Sequence, residues 1–303
     1  MGLEVKMAPG PVFPSPLLSP ADFSRLTMAP DASNAFAPLY RAITSTRRTA
    51  AAEGKAVPVI GFCGAPWTLM SYMVGPVGRP TPVAPEGAPH GGGKDTSERT
   101  RAWLYTYPVD SHILLSALAA VCADLLVGAW AAGASILQVF ESGAGDLPPP
   151  LFSVFALPYM KQVAAAVRSR VPCVADGGPL LIAFPRGQHS VDGLEGLCDS
   201  AFDAIGLDWG WLPSEAARRV AIECKRLGRK PIALQGNLDP GALFAPKDVL
   251  RKATRDMLIG FGDAPLVANL GHGMLPGHDP LALGEFFDAV REESMSLRGG
   301  GGG

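Results

Sequence analysis

Six short apolar runs, rich in β-branched residues, recur along the chain at 57–62, 135–142, 179–185, 204–209, 231–240 and 265–273. Each ends at glycine, proline or polar residues, and a stretch with helical periodicity lies between most of them. The pattern is clearest in VPVIGFCGAPWTLMSYM (57–73), where an apolar run breaks at Gly64, Ala65 and Pro66 and a helix-compatible run follows. Helices are expected at 38–52, 99–107, 112–130, 156–171, 214–227, 246–259 and from Asp279-Pro280 to about Glu293. Ser19-Pro20-Ala21-Asp22 opens a further one, with a cap, a first-turn proline and an acid in order.

Strand, turn and helix repeated in this way predict an α/β protein. Nearly continuous apolar strands leave no face for water, so the sheet is parallel and covered on both sides. The residues with chemical potential fall at the C-terminal strand ends, where TIM barrels keep their sites. No GxGxxG fingerprint supports an open doubly wound sheet, so the expectation is a (β/α)8 barrel with six of its strands legible.

Composition narrows the picture. Across 303 residues, 48% are hydrophobic and 18% charged, enough apolar material for a large core. A net charge of −2 gives no electrostatic reason to expect nucleic acid or an acidic membrane as partner. Cys63, Cys122, Cys173, Cys198 and Cys224 are dispersed, which reads as reduced thiols rather than disulfides or zinc ligands. The most apolar region, 113–140, is interrupted by Asp124 and Gly133 and reads as a buried helix and a strand, not a membrane span. MGLEVKM carries neither a signal core nor a transit-type leader. One domain is expected over 1–293, with a flexible Gly/Pro-rich insertion at about 74–98 that contains an inert His90, and a flexible Gly-rich tail at 294–303.

The candidate residues are Tyr72, Glu141 and Ser142, Arg186 and His189, Asp208, the cluster Gln235, Asn237 and Asp239, and Asn269 with His272. A carboxylate ending an apolar strand must be paired or face a cleft, so Glu141 and Asp208 are either site residues or caps and ion-pair partners. His272, between Gly271 and Gly273, is the best single candidate for proton transfer near neutral pH. Tyr72 could equally be a packed ring with one hydrogen bond, and Asn237 and Asp239 could be turn residues. No GxSxG, Walker A or HExxH motif and no close metal-ligand spacing occurs. What remains is a cofactor-free cleft lined by hydroxyl, imidazole and carboxamide groups.

Five motifs then stand in order: GFCGAPWTLMSYM (61–73), LQVFESGAGDL (137–147), IGLDWG (205–210), LQGNLDPGAL (234–243) and NLGHGMLPGHDP (269–280). With the opening GLEVKMAPGPVFPSPL, they make the chain resemble the uroporphyrinogen decarboxylase family from Gly2 to about Glu293. The resemblance implies a (β/α)8 barrel, a homodimer, no metal or organic cofactor, and no membrane span. It implies removal of CO2 from the four acetate side chains of uroporphyrinogen III to give coproporphyrinogen III, on the way to haem and chlorophyll, in the cytoplasm or, with a transit peptide, in plastids. Tyr72, Ser142 and His272 match the family's substrate-site positions, with Tyr72 and His272 as the catalytic pair. An arginine-rich loop and a pyrrole-binding Asp of the family have no counterpart here, which implies an N-terminally truncated chain lacking the first two strands, its own activity resting on what is missing. FPRGQH (184–189) stands where the family has an FAK-type sequence, and Gly143 where it often has Trp or His. Two other readings are a non-catalytic tetrapyrrole-binding paralogue and a zinc- or cobalamin-linked methyltransferase of the same superfamily; the NLGHG and QGNLDP turns carry no Cys to serve the latter.

Overall fold

A computed structural model describes residues 1–7, 13–55, 57–75 and 94–299. The chain divides into two compact units, Met1–Gln188 and His189–Gly303.

In the first unit a 3-10 turn (Pro20–Arg25) precedes α1 (Ala32–Ala35), α2 (Ala37–Ala52), β1 (Ile60–Gly64), α3 (Pro66–Met73), α4 (Lys94–Thr106), α5 (Pro108–Ala131), β2 (Ile136–Phe140), α6 (Pro149–Phe155), α7 (Leu157–Arg168) and β3 (Leu180–Phe184). The three strands are parallel and in register, Gly64 beside Phe140 and Phe140 beside Phe184. α5 is long and apolar enough to cross a bilayer by length and composition alone. Here it is a core helix: Leu114, Leu115, Leu118, Ala119, Cys122 and Leu126 are buried, and it packs on α7, α3 and β1. Gly128 lets the Tyr40 ring lie across α5, since a Cβ there would come within 2.2 Å of it.

The second unit contains α8 (Val191–Cys198), β4 (Ala204–Gly206), α9 (Pro213–Arg226), β5 (Ala233–Leu238), α10 (Lys247–Phe261), β6 (Leu266–Leu270) and α11 (Pro280–Gly299). β4, β5 and β6 are again parallel, with Gly206 beside Gln235 and Asn237 beside Asn269. Ser190 caps α8 by accepting the Gly193 amide, and α9 has Glu215 in its first turn and Lys225 and Arg226 in its last, as the helix dipole favours.

Every strand in both units is parallel to its partner and leads towards a helix, the βα succession expected of an α/β barrel. The differences from the expected elements are local. Residues 57–59 are not strand, because Pro58 offers no amide, although the Val59 carbonyl accepts the amides of Ser135 and Ile136. The opening helix is a 3-10 turn, and α6 and α8 were not expected. Of the supposed insertion, residues 76–93, with His90, lie outside the described residues. Its ends are built into the fold: Val74 bridges to Leu17, and Lys94 to Glu98 open α4. α11 continues past Glu293 to Gly299. Cys173 is exposed and the other four cysteines are buried, each a free thiol.

Candidate active site

In the first unit the site grows from the meeting of β2 and α3. Pro66 opens α3, supplying a helix-ready φ and no amide to satisfy, while Ala65 has no side-chain oxygen with which to cap the remaining amides. Glu141, next after β2, does this from across the sheet. Its Oε1 accepts the Thr68 amide at 2.7 Å and the Thr68 hydroxyl at 2.5 Å. The Thr68 hydroxyl in turn accepts the Gly143 amide at 3.0 Å, and the Trp67 indole N–H donates to the Gly143 carbonyl at 3.0 Å. Trp67, Thr68 and Glu141 are all buried. The strand end and the helix start are thus locked by side chains that no local pattern pairs.

Above this lock lies a cavity of about 460 Å3 whose walls include Tyr72, Ser71, Thr100, Ser142, Asp146 and Arg186. Tyr72 and Ser142, proposed independently from the sequence, line this same cavity, and both are exposed to it or to solvent. Its floor is bare backbone at Gly145 and Gly187. A Cβ on either glycine would stand 2.9 Å from the other's Cα, and Gly187 has a left-handed φ of +77°. The Gly145 amide donates to the Arg186 carbonyl, and the Arg186 amide to the Glu141 carbonyl, so Arg186 is fixed to the same strand end. Its guanidinium makes no hydrogen bond or ion pair among the described residues, and it is the one cation among the cavity-lining residues.

In the second unit the strand ends of β4, β5 and β6 converge. Asp208 is buried, and its Oδ1 receives His189 Nε2 at 2.6 Å and the Gly210 amide at 2.8 Å. His189 reaches it only because residue 210 is glycine: a Cβ there would lie 2.2 Å from Nε2. Asn237 Nδ2 donates to the carbonyls of Asp208 and Trp211. Asp239 is a cap, accepting the Gly241 amide at 2.8 Å, and Asn269 accepts the Leu270 amide at 2.9 Å. His272 is half-buried, its Nδ1 3.0 Å from the Gly273 carbonyl and its ring edge-on to Trp209 at 5.9 Å. Among the described residues, no three His, Cys, Asp or Glu side chains converge as metal ligands would.

A family model described as uroporphyrinogen decarboxylase (URO-D) matches residues 1–293. The chain belongs to the uroporphyrinogen decarboxylase family. Relatives of that name are 42% identical in Danio rerio over 299 residues, 42% in Salinibacter ruber and 40% in Homo sapiens over 300 residues each. Each alignment covers 98% of this chain and 73%, 75% and 74% of the respective relative. Among solved structures, a B12-independent methionine synthase from Shewanella sp. W3-18-1 superposes with a TM-score of 0.45 and 13% identity, over 75% of this chain and 70% of its own. The alternating helices and parallel strands of this uroporphyrinogen decarboxylase family member are those of a (β/α)8 barrel.

The two carboxylates left open by the sequence now have structural partners. Asp208 is paired with His189, and Glu141 caps α3 from a distance. What sequence reasoning missed is the partners themselves: Thr68 and Trp67 lie 73 and 76 residues from the atoms they hold. The only signal was the carboxylate at an apolar strand end.

Burial raises the Glu141 carboxyl from 4.5 to about 7, outweighing the hydrogen bonds from the Thr68 hydroxyl, the Thr68 amide and, more weakly, the Trp67 amide, which lower it. Its Oε2 has no hydrogen-bond partner among the described residues. Between the unfolded value and about 7, the unfolded chain has lost a proton that the folded chain keeps, so stability falls as pH rises through that window and levels off above it. The loss from this one group is about 3 kcal/mol. Glu141→Gln removes the titration, so its melting temperature relative to the parent should rise from pH 5 to about pH 7 and then level off towards pH 8. A constant offset across that range would contradict the assignment.

Proposed function

We propose that this chain decarboxylates the acetate side chains of uroporphyrinogen III to give coproporphyrinogen III. The observation that carries the reading is family membership over residues 1–293 at about 40% identity to enzymes of that name. Support comes from the cavity of the first unit, where a phenol, a hydroxyl and a guanidinium line one polar space suited to carboxylates.

The reaction breaks the bond between an acetate methylene and its carboxylate. The electron pair passes into a pyrrole ring protonated at carbon, CO2 leaves, and a proton added at the methylene gives a methyl group while the ring proton is returned. The net balance is one proton consumed and one CO2 released per acetate. Nothing in this sequence requires a covalent bond to the protein, so rate comes from holding the multiply charged macrocycle and stabilising a cationic ring. In our reading Tyr72, Ser142 and Arg186 hold substrate carboxylates in the first unit. His272, with Trp209 beside it, serves from the second unit as substrate contact and proton carrier, and Tyr72 shares the catalytic role. We further propose a homodimer, which rests on the family resemblance and which sedimentation equilibrium would check. A cytoplasmic or plastid location fits a tetrapyrrole pathway, and a fluorescent fusion would test it.

The deciding experiment is an anaerobic assay with uroporphyrinogen III and chromatography of the products. Stepwise appearance of hepta-, hexa-, penta- and tetracarboxylate products is expected. Tetrapyrrole binding without any product would instead support a non-catalytic paralogue. Tyr72→Phe and Ser142→Ala should each raise KM by roughly tenfold or more, the size of a lost hydrogen bond to a charged group. Unchanged KM in both would remove these residues from the substrate site.

A further inference from the structure

We propose that Glu141 is a positioning residue, which acts through Thr68 and Gly143 to set the placement of Tyr72 relative to Ser142 in the cleft. This rests on the reading of Tyr72 and Ser142 as substrate contacts. Glu141 is itself buried and outside the cavity lining; its carboxyl holds the Thr68 amide and hydroxyl and, more weakly, the Trp67 amide, while its carbonyl accepts the Arg186 amide.

The argument is geometric. Ser142 follows Glu141 directly in the chain, and Tyr72 lies four residues beyond Thr68, on the same face of α3. The Thr68 hydroxyl has one proton. It accepts from the Gly143 amide, so that proton goes to Glu141 Oε1. The direction of the relay is therefore fixed: Gly143 amide to Thr68 hydroxyl to Glu141 carboxyl. Two rigid pieces, the loop after β2 and the first turn of α3, are joined by one side-chain network. Tyr72 and Ser142 ride on opposite sides of the joint. The Trp67–Gly143 hydrogen bond braces it from a second direction.

The network also contains a hydrogen-bonding vacancy. Glu141 Oε2 is enclosed and makes no hydrogen bond among the described residues, so the carboxyl is held by one oxygen and its second oxygen is left to carry the charge or the proton. The titratable groups facing it are thiols: Cys122 on α5, held well above the ordinary thiol range by its hydrogen bond to Cys63 and by burial, and Cys63 of β1 behind it. Neither supplies a positive charge. Ionisation of Glu141 strengthens its grip on the Thr68 amide and hydroxyl, so the stiffness of the joint follows the state of this one carboxyl.

The test uses steady-state kinetics with uroporphyrinogen III between pH 5.5 and pH 9, on Glu141→Gln, Thr68→Val and Thr68→Ser. Tyr72→Phe and Ser142→Ala serve as references, and thermal melts report folding. Thr68→Val should raise KM about tenfold with a smaller change in kcat, and Thr68→Ser, which keeps the hydroxyl, should restore KM to within about twofold of the parent. Glu141→Gln should flatten the pH dependence of KM around neutrality, and Thr68→Val combined with Glu141→Gln should be no worse than Thr68→Val alone. Parent and Glu141→Gln profiles that superimpose would overturn the inference, as would a Thr68→Ser variant as poor as Thr68→Val. If Thr68→Val does not fold, the Glu141→Gln profile decides alone. If Tyr72→Phe and Ser142→Ala leave KM unchanged, the substrate-site reading has failed instead, and the two failures are separable.

Discussion

Alanine at position 271 should destabilise the protein by about 3 kcal/mol or more, the upper end of overpacking costs. A Cβ built on Gly271 stands 2.5 Å from the Trp209 nitrogen, 3.0 Å from the Asp208 carbonyl carbon and 3.1 Å from the Asn237 carbonyl oxygen. All three are main-chain atoms, so no side chain can rotate aside. The ends of β4 and β5 would have to move away from the end of β6. That movement strains the Gly271 amide's bond to the Leu238 carbonyl and the two bonds from Asn237 Nδ2, and it displaces the neighbouring His272. The melting temperature should fall by roughly 5 °C or more, with activity lost in step. Gly273, two residues on, is the control, since nothing lies within 4 Å of a Cβ placed there. Gly273→Ala should stay within about 0.5 kcal/mol of the parent. Equal behaviour of the two variants in calorimetry would rule out the steric account.

Arg186→Ala should raise KM for uroporphyrinogen III by roughly tenfold to a hundredfold while leaving the fold intact. Hydrogen bonds to charged groups contribute about 1.5–3 kcal/mol, which sets that range. The side chain is exposed and unengaged among the described residues, so its removal disturbs no internal contact. Its main chain stays pinned through Glu141 and Gly145. Arg186→Lys should fall between the two, because an ammonium retains the charge but cannot grip a carboxylate with two parallel N–H groups. The loss should shrink with raised salt, as for any exposed charge pair. A KM unchanged in Arg186→Ala would mean that the cavity binds its ligand without this cation.

Much of this was readable before any coordinates. Parallel strands buried on both faces must be apolar nearly throughout, and β2 and β3 are; β5 is as well buried but carries Gln235 and Asn237, and β1 and β6 expose alternate residues. Tyr72 and Ser142 could be placed at the C-terminal ends of two different strands, and they line one cavity. His272 lies in the other unit, beside Trp209. α6 was illegible because Pro148-Pro149-Pro150 reads as extended chain, although proline is at home in a first helical turn. α8 was hidden by Gly193 and Gly196, which lower helical propensity in a segment that packing on α9 then stabilises. The Thr68–Glu141 lock and the His189–Asp208 pair were out of reach for a simpler reason. A strand-end carboxylate signals that a partner must exist, and nothing in its neighbourhood in the chain says which residue will supply it.

The facing glycines 145 and 187 bear on how this cleft can change over time. Either one acquiring a side chain drives a methyl into the other's main chain, and Gly187 carries the added constraint of its left-handed backbone. Mutating one does not make room for mutating the other, because the obstacle is backbone and persists in the double variant. The floor of the cavity is thus a dead end for single-step and paired sequence drift alike. Adaptation towards a different ligand has to run through the walls, at positions such as Ser71, Tyr72 and Arg186, where side chains can be exchanged one at a time.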